Sequence, residues 1–248
     1  MRTLFAALLI LGTAITPTAA ASTVDAACSS NKRPVILLHG TASDSRSTWR
    51  ELTEALRKEN RCGYALDYGN QGKNPIAQSA KEVSAYVDRV LRETHSSDVD
   101  IVGYSQGAVL ARHYLKFLGG AAKTNSLIGI APTNHGIADT LPDWLLKRCP
   151  ACGDQLAGSA FMTALNQGGD LVGAVRHTTI ASKHDGTVTL ASQALTGPAD
   201  RVTNVVIQDA CPLDFTGHPF MPHARPVVEW TVNALRREGL ADPAHHGC

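Results

Sequence analysis

Charge of one sign is what this 248-residue chain has least of: 23 Lys and Arg face 22 Asp and Glu, a net of +1. Without a basic excess, nucleic acid is excluded as the main partner, because phosphate binding needs clustered Lys and Arg. A polybasic membrane anchor is excluded for the same reason. No apolar run beyond residue 21 is long enough to cross a bilayer. Internal repeats, low-complexity tracts and Pro/Ser/Gly linkers are missing too, so one domain is expected. At 44% apolar and 18% charged residues, the composition is that of a folded globular chain.

The apolar run that does exist lies at the start. Arg2 precedes Leu4 to Ile15, and Ala19, Ala20 and Ala21 follow. A basic start, a short apolar stretch and small residues read as a secretory signal peptide over residues 1–21. Cleavage is expected after Ala20 or Ala21, with Ala26 as a third choice. It removes one Arg and no acid, so the mature charge is 22 − 22 = 0. The expected product, residues 22–248, is a secreted, soluble monomer.

Six cysteines lie beyond this segment: Cys28, Cys62, Cys149, Cys152, Cys211 and Cys248. An even count in an exported chain predicts disulfides. Nearness along the inferred sheet pairs Cys28 with Cys62, Cys149 with Cys152, and Cys211 with Cys248. The spacing Cys149-Pro-Ala-Cys152 is also that of a zinc half-site, but the chain lacks a matching second half apart from His245-His246. No metal is expected.

Strand-like and helix-like runs alternate. Apolar runs at 34–39, 64–68, 99–102, 127–131, 177–181 and 202–207 are separated by helical spacing at 47–60, 76–94 and 106–118, and 227–237 closes the chain. Alternation of this kind predicts an α/β fold, a mostly parallel sheet of about six strands with helices on both faces. The rhythm breaks over 132–176. An insert there, after the fourth strand, falls where parallel sheets place their ligands.

Gly103-Tyr-Ser105-Gln-Gly107 follows the third strand and opens a helix. A nucleophilic serine on a tight strand-to-helix turn needs small neighbours, and the helix N-terminus favours negative charge nearby. Serine needs a base and a group that orients the base. On this strand–turn–helix scaffold the acid and then the base follow along the chain. Asp185, just past the fifth strand in Ser182-Lys-His-Asp-Gly186, suits the acid, with Asp139 as the rival. His218, in the Gly- and Pro-framed loop after the sixth strand, suits the base, with His223 as the rival. His184 and His113 are less well placed. The oxyanion donors are the N–H of Gln106 and the N–H of Thr41, in the loop Leu38-His-Gly-Thr41 after the first strand.

These segments together resemble secreted bacterial lipases of the α/β-hydrolase superfamily, the class 2 triacylglycerol lipases. The resemblance covers Pro34 to Thr41, Gly103 to Gly107, Ala131-Pro-Thr-Asn-His-Gly136, Asp185-Gly-Thr-Val188 and Gln208 to Asp214 followed by His218. It implies Ser105 as nucleophile, Asp185 as acid and His218 as base, the last by its spacing from Cys211-Pro-Leu-Asp214. Met221 stands where the family usually has Leu.

A secreted serine esterase or lipase acting on acylglycerols or similar esters is therefore expected, with no cofactor and with transient contact with lipid surfaces. The same machinery would serve an amidase or a polyester hydrolase, and a binding protein on the same scaffold is the alternative of a different class. Leu141, Trp144 and Leu145 are spaced as one helical face, and either line the acyl path or pack in the core.

Overall fold

The first strand explains the architecture. All four residues of β1 (Val35–Leu38) are buried, and they divide between two cores. Ile36 and Leu38 join one apolar cluster, while Val35 and Leu37 join the other. Alternate side chains of a strand point to opposite faces, so a strand apolar throughout must be covered on both. The structure is a computed structural model that describes residues 28–137 and 140–248. The expected signal segment and the rival acid Asp139 lie outside the described residues.

Six parallel strands form one sheet in the order β2-β1-β3-β4-β5-β6. Their ranges are β1, β2 (Gly63–Leu66), β3 (Val99–Tyr104), β4 (Thr124–Ile130), β5 (Arg176–Ala181) and β6 (Val202–Val206). Four long helices cover the sheet: α1 (Arg50–Lys58), α2 (Ile76–Thr94), α3 (Gln106–Phe117) and, last in the chain, α7 (Arg225–Arg236). Ile76, Ala80, Val83, Val87 and Val90 of α2 share one core with Val109 and Leu110 of α3. Leu52 and Leu56 of α1 share the other with Val227, Trp230 and Ala234 of α7. Strand order reverses between β1 and β3, and the carboxyl ends at such a reversal are where parallel sheets place their ligands.

Two sequence-based expectations are corrected. Helical spacing over 47–60 predicts one helix, whereas the chain forms a turn at Ser45–Thr48 and then α1. Trp49 breaks it at φ −112° and ψ 11°, with its side chain buried. The Asp44 carboxylate caps the first turn by accepting from Ser47 N–H at 2.7 Å.

The second correction concerns the insert. Between β4 and β5 its described residues form three short helices, α4 (Asp143–Arg148), α5 (Pro150–Asp154) and α6 (Ala160–Asn166). Leu141, Trp144 and Leu145 do not form one helical face. Pro142 is extended, at φ −62° and ψ 139°, so α4 begins only at Asp143 and Leu141 stays outside it. Trp144 is 63% exposed, which removes it from the core. Leu145 alone packs partly against the core. A charge cluster anchors the insert to α3. Arg112 Nη2 lies 3.3 Å from Asp170 Oδ1, Arg112 Nη1 donates to Asn134 O at 2.9 Å, and His135 Nε2 lies 3.0 Å from the same Asp170 oxygen.

Disulfides join Cys28 to Cys62, Cys149 to Cys152, and Cys211 to Cys248, the three pairings expected. Three disulfides fit an extracellular protein.

Candidate active site

Ser105 sits between β3 and α3 with φ 52° and ψ −118°, a backbone state that L-residues rarely adopt. Its N–H donates to Ile130 O of the neighbouring strand at 2.8 Å, which fixes the turn in place. The flanking glycines are sterically required. A Cβ on Gly103 would lie 2.5 Å from Ala108 N, and one on Gly107 would collide with the carbonyl oxygen of Leu38. The motif therefore lets α3 pack directly against β1 and β3 while Ser105 stays at the carboxyl end of β3. Only 8% of Ser105 is exposed.

His218 and Asp185 reach that hydroxyl from loops after β6 and β5. Ser105 Oγ lies 3.0 Å from His218 Nε2, and His218 Nδ1 lies 2.8 Å from Asp185 Oδ2. Both partners are buried. The other carboxylate oxygen, Asp185 Oδ1, accepts from Thr187 N–H at 2.9 Å and Val188 N–H at 2.6 Å. Gly186, at φ 74°, turns the chain back so that these amides face the carboxylate. The two loops are also stitched together, since His218 N–H donates to Asp185 O at 2.9 Å. Tyr104, beside Ser105, donates its hydroxyl to His218 O at 2.9 Å. Burial pushes the Tyr104 phenol pKa up, so it remains a donor.

Four other histidines have partners of their own. His223 Nδ1 lies 2.8 Å from Glu51 Oε2, on α1. His184 packs against Phe215, and His113 lies between the rings of Phe117 and Phe161. His39 is fully buried and stacks on Tyr68, with ring centroids 4.3 Å apart. Burial lowers its pKa.

Thr41 follows β1 and Gln106 opens α3. Neither N–H has a backbone acceptor among the described residues. Their side chains meet, with the Thr41 hydroxyl donating to Gln106 Oε1. The next residue, Ala42, is left-handed at φ 55° and donates its N–H to Gln71 O at 2.8 Å. Sequence reasoning missed a third side chain here, Gln155 from the insert, which donates to Thr41 Oγ1 at 3.1 Å and to Gln106 Oε1 at 3.2 Å. A lone Gln after Cys-Gly-Asp carries no motif, so no sequence signal marks it. Of the insert residues expected near the site, Trp144 is exposed, as are Leu213, Phe215 and Phe220 in the loop around His218.

Chemically, the arrangement presents one hydroxyl to a ring nitrogen whose other nitrogen is held by a carboxylate. The Gln106 amide stands at the N-terminus of α3, and the Thr41 amide lies in the loop after β1. Among the described residues there is no cluster of His, Cys, Asp and Glu able to hold a metal ion.

A parallel sheet in this order, with Ser after β3, Asp after β5 and His after β6, is the α/β-hydrolase fold. Residues 32–225 match the sequence model of the class 2 lipases, and the chain belongs to that family. Among solved structures it is similar to Aspergillus fumigatus lipase B, at 24% identity and a TM-score of 0.76 over 86% of this chain and 55% of that one. It is also similar to the mature form of Bacillus licheniformis lipase BlEst2, at 16% identity and a TM-score of 0.64 over 88% and 95%. At such identities these likenesses concern the fold. A probable alcohol acetyltransferase of Cyberlindnera fabianii is 29% identical over 128 residues, 50% of this chain and 34% of that protein. The chain thus spans about a third of that relative and just over half of the Aspergillus lipase.

Proposed function

We propose that the protein is a secreted serine esterase or lipase that cleaves acylglycerols or similar esters through an acyl-enzyme. The observation that carries this reading is the unbroken chain from Ser105 Oγ through both nitrogens of His218 to Asp185, with contacts of 3.0 and 2.8 Å. Ser105 Oγ attacks the ester carbonyl while His218 Nε2 takes its proton. Asp185 keeps the Nδ1 proton in place and stabilises the imidazolium. The Thr41 and Gln106 amides receive the oxyanion. His218 then returns its proton to the leaving alcohol, and water repeats the attack on the acyl-enzyme with His218 again as base. The three disulfides support an extracellular site of action. Exposed Trp144, Leu213, Phe215 and Phe220 support apolar or lipid-surface substrates.

A panel of p-nitrophenyl esters from acetate to palmitate tests this reading. Turnover that Ser105→Ala abolishes is expected, with medium chains ahead of acetate. A chain that turns over none of these esters contradicts it. The likeness to a probable alcohol acetyltransferase favours a second acceptor, an alcohol in place of water. Attack of an alcohol on the acyl-enzyme would release a new ester and regenerate Ser105. Added ethanol should then yield ethyl ester alongside free acid.

A further inference from the structure

The oxyanion loop lacks regular secondary structure of its own. Its residues 40–42 follow β1 and have neither a helix nor a strand to hold them. An oxyanion donor is effective only if it is already in place when charge develops, so something must stop this loop from relaxing. Gln155 is the side chain placed to do so. It is 3% exposed and follows α5, which carries the Cys149–Cys152 disulfide.

Every polar atom of the Gln155 side chain is used. The two N–H groups of Nε2 are shared among Thr41 Oγ1 at 3.1 Å, Gln106 Oε1 at 3.2 Å and Ala151 O at 3.2 Å. Oε1 accepts from Thr133 Oγ1 at 2.9 Å. Gln106 depends on this arrangement, because its own buried Nε2 has no hydrogen-bond partner among the described residues. Its side-chain amide is held through Oε1, by Thr41 and Gln155. α5 is itself tethered. Ala151 N–H donates to Lys73 O at 3.2 Å, and Asp154 Oδ2 accepts from Ile76 N–H at 2.8 Å. The same 69–74 turn grips the oxyanion loop from the other side through Gln71 O and Ala42 N–H.

We infer that Gln155 is a positioning residue for the reaction, holding Thr41 and Gln106 in mutual register from the disulfide-closed helix α5. The inference rests on the reading of these two residues as oxyanion donors. Gln155 need not touch substrate; it acts through the two residues it binds. The insert after β4 therefore contributes a structural support for the oxyanion hole.

The test is Gln155→Met, which nearly keeps the volume and removes every hydrogen bond of the side chain. A donor set that is loosened rather than lost should lower kcat by about tenfold or more, below the 10²–10³ cost of deleting a donor outright. KM should stay within about twofold, the pattern of an interaction made in the transition state. An alkyl boronic acid, which adds to Ser105 as a tetrahedral anion, should lose affinity by a similar factor. Unchanged kcat in folded Gln155→Met overturns the inference, and so does a fall in kcat with unchanged boronate affinity. If Gln155→Met fails to fold, Thr133→Val releases only the Oε1 anchor. It should show the same pattern to a smaller degree, and wild-type kcat and boronate affinity there overturn the inference. Ser105→Ala is assayed in parallel. Activity that survives Ser105→Ala sinks the underlying reading, whereas its loss together with full activity in Gln155→Met sinks only the role of Gln155.

Discussion

Replacing Asp185 by Asn tests how the acid works, because the structure constrains where the new amide must go. Asp185 Oδ1 accepts two backbone N–H groups, from Thr187 and Val188, at 2.9 and 2.6 Å. Asn satisfies both only by keeping its oxygen at that position. Its NH2 then faces His218 Nδ1, where Asp185 Oδ2 had been at 2.8 Å. Nδ1 must become the acceptor, so the ring proton moves to Nε2. That nitrogen now points a proton at Ser105 Oγ and cannot take one away. The fold should be little changed, since the two amides stay bonded. The wrong tautomer costs about 10⁴ in kcat in the well-studied serine protease case, or ~5.4 kcal/mol of transition-state stabilisation. We expect a fall in kcat/KM of about 10³–10⁴ with thermal stability close to wild type. The assay is steady-state hydrolysis of p-nitrophenyl butyrate beside thermal denaturation. A folded Asp185→Asn protein within tenfold of wild-type kcat/KM would refute the reasoning and move the acid role to another residue.

Further outcomes follow from the same geometry. His218→Ala should lower kcat by orders of magnitude while His223→Ala leaves it near wild type, because His223 is held by Glu51 on α1; the reverse pattern in steady-state assays would reassign the base. Trp144→Ala, at an exposed side chain, should leave stability nearly unchanged and reduce the rate advantage of medium-chain over acetyl esters; an unaltered chain-length profile removes Trp144 from the acyl path. His177 should make the protein acid-labile. It is buried with both ring nitrogens unpartnered among the described residues, and burial, reinforced by Arg112 and Arg201, pushes its pKa down to about 3. The unfolded chain takes up a proton near pH 6.5 that the native state refuses, so the contribution is full above that pH. It is lost as pH falls toward 3, at up to ~1.4 kcal/mol per pH unit. Denaturant midpoints measured from pH 7 to 4 should decline less steeply in His177→Phe than in wild type, and equal slopes would count against this.

The legible part of the molecule was written locally. Val35–Leu38 reads as a strand buried on both faces because all four side chains are apolar, and it is one. Gly103 to Gly107 reads as a strained turn because two glycines frame a serine, and the sterics at both glycines require it. Chain order points to Asp185 and, with the spacing that the family resemblance implies, to His218; in the structure His218 lies against Ser105 and Asp185 against His218. What was not legible depends on contacts distant in sequence. The stripe of Leu141, Trp144 and Leu145 has helical spacing, but Pro142 stands inside it and delays the helix to Asp143. The turn at 69–72 places Asn70 and Gln71 in left-handed backbone, at φ 52° and 58°, without a local pattern that announces it. Gln155 meets Thr41 across 114 residues of chain, a pairing no local spacing encodes.

The central claim is that Ser105 is a nucleophile activated by His218, and fluorophosphonate labelling followed by peptide mass spectrometry tests it most directly. The account predicts one adduct per chain, mapped to the peptide containing Ser105, formed far more slowly in His218→Ala and absent in Ser105→Ala. An adduct on another residue, or a folded wild-type protein that takes up no label, would contradict it.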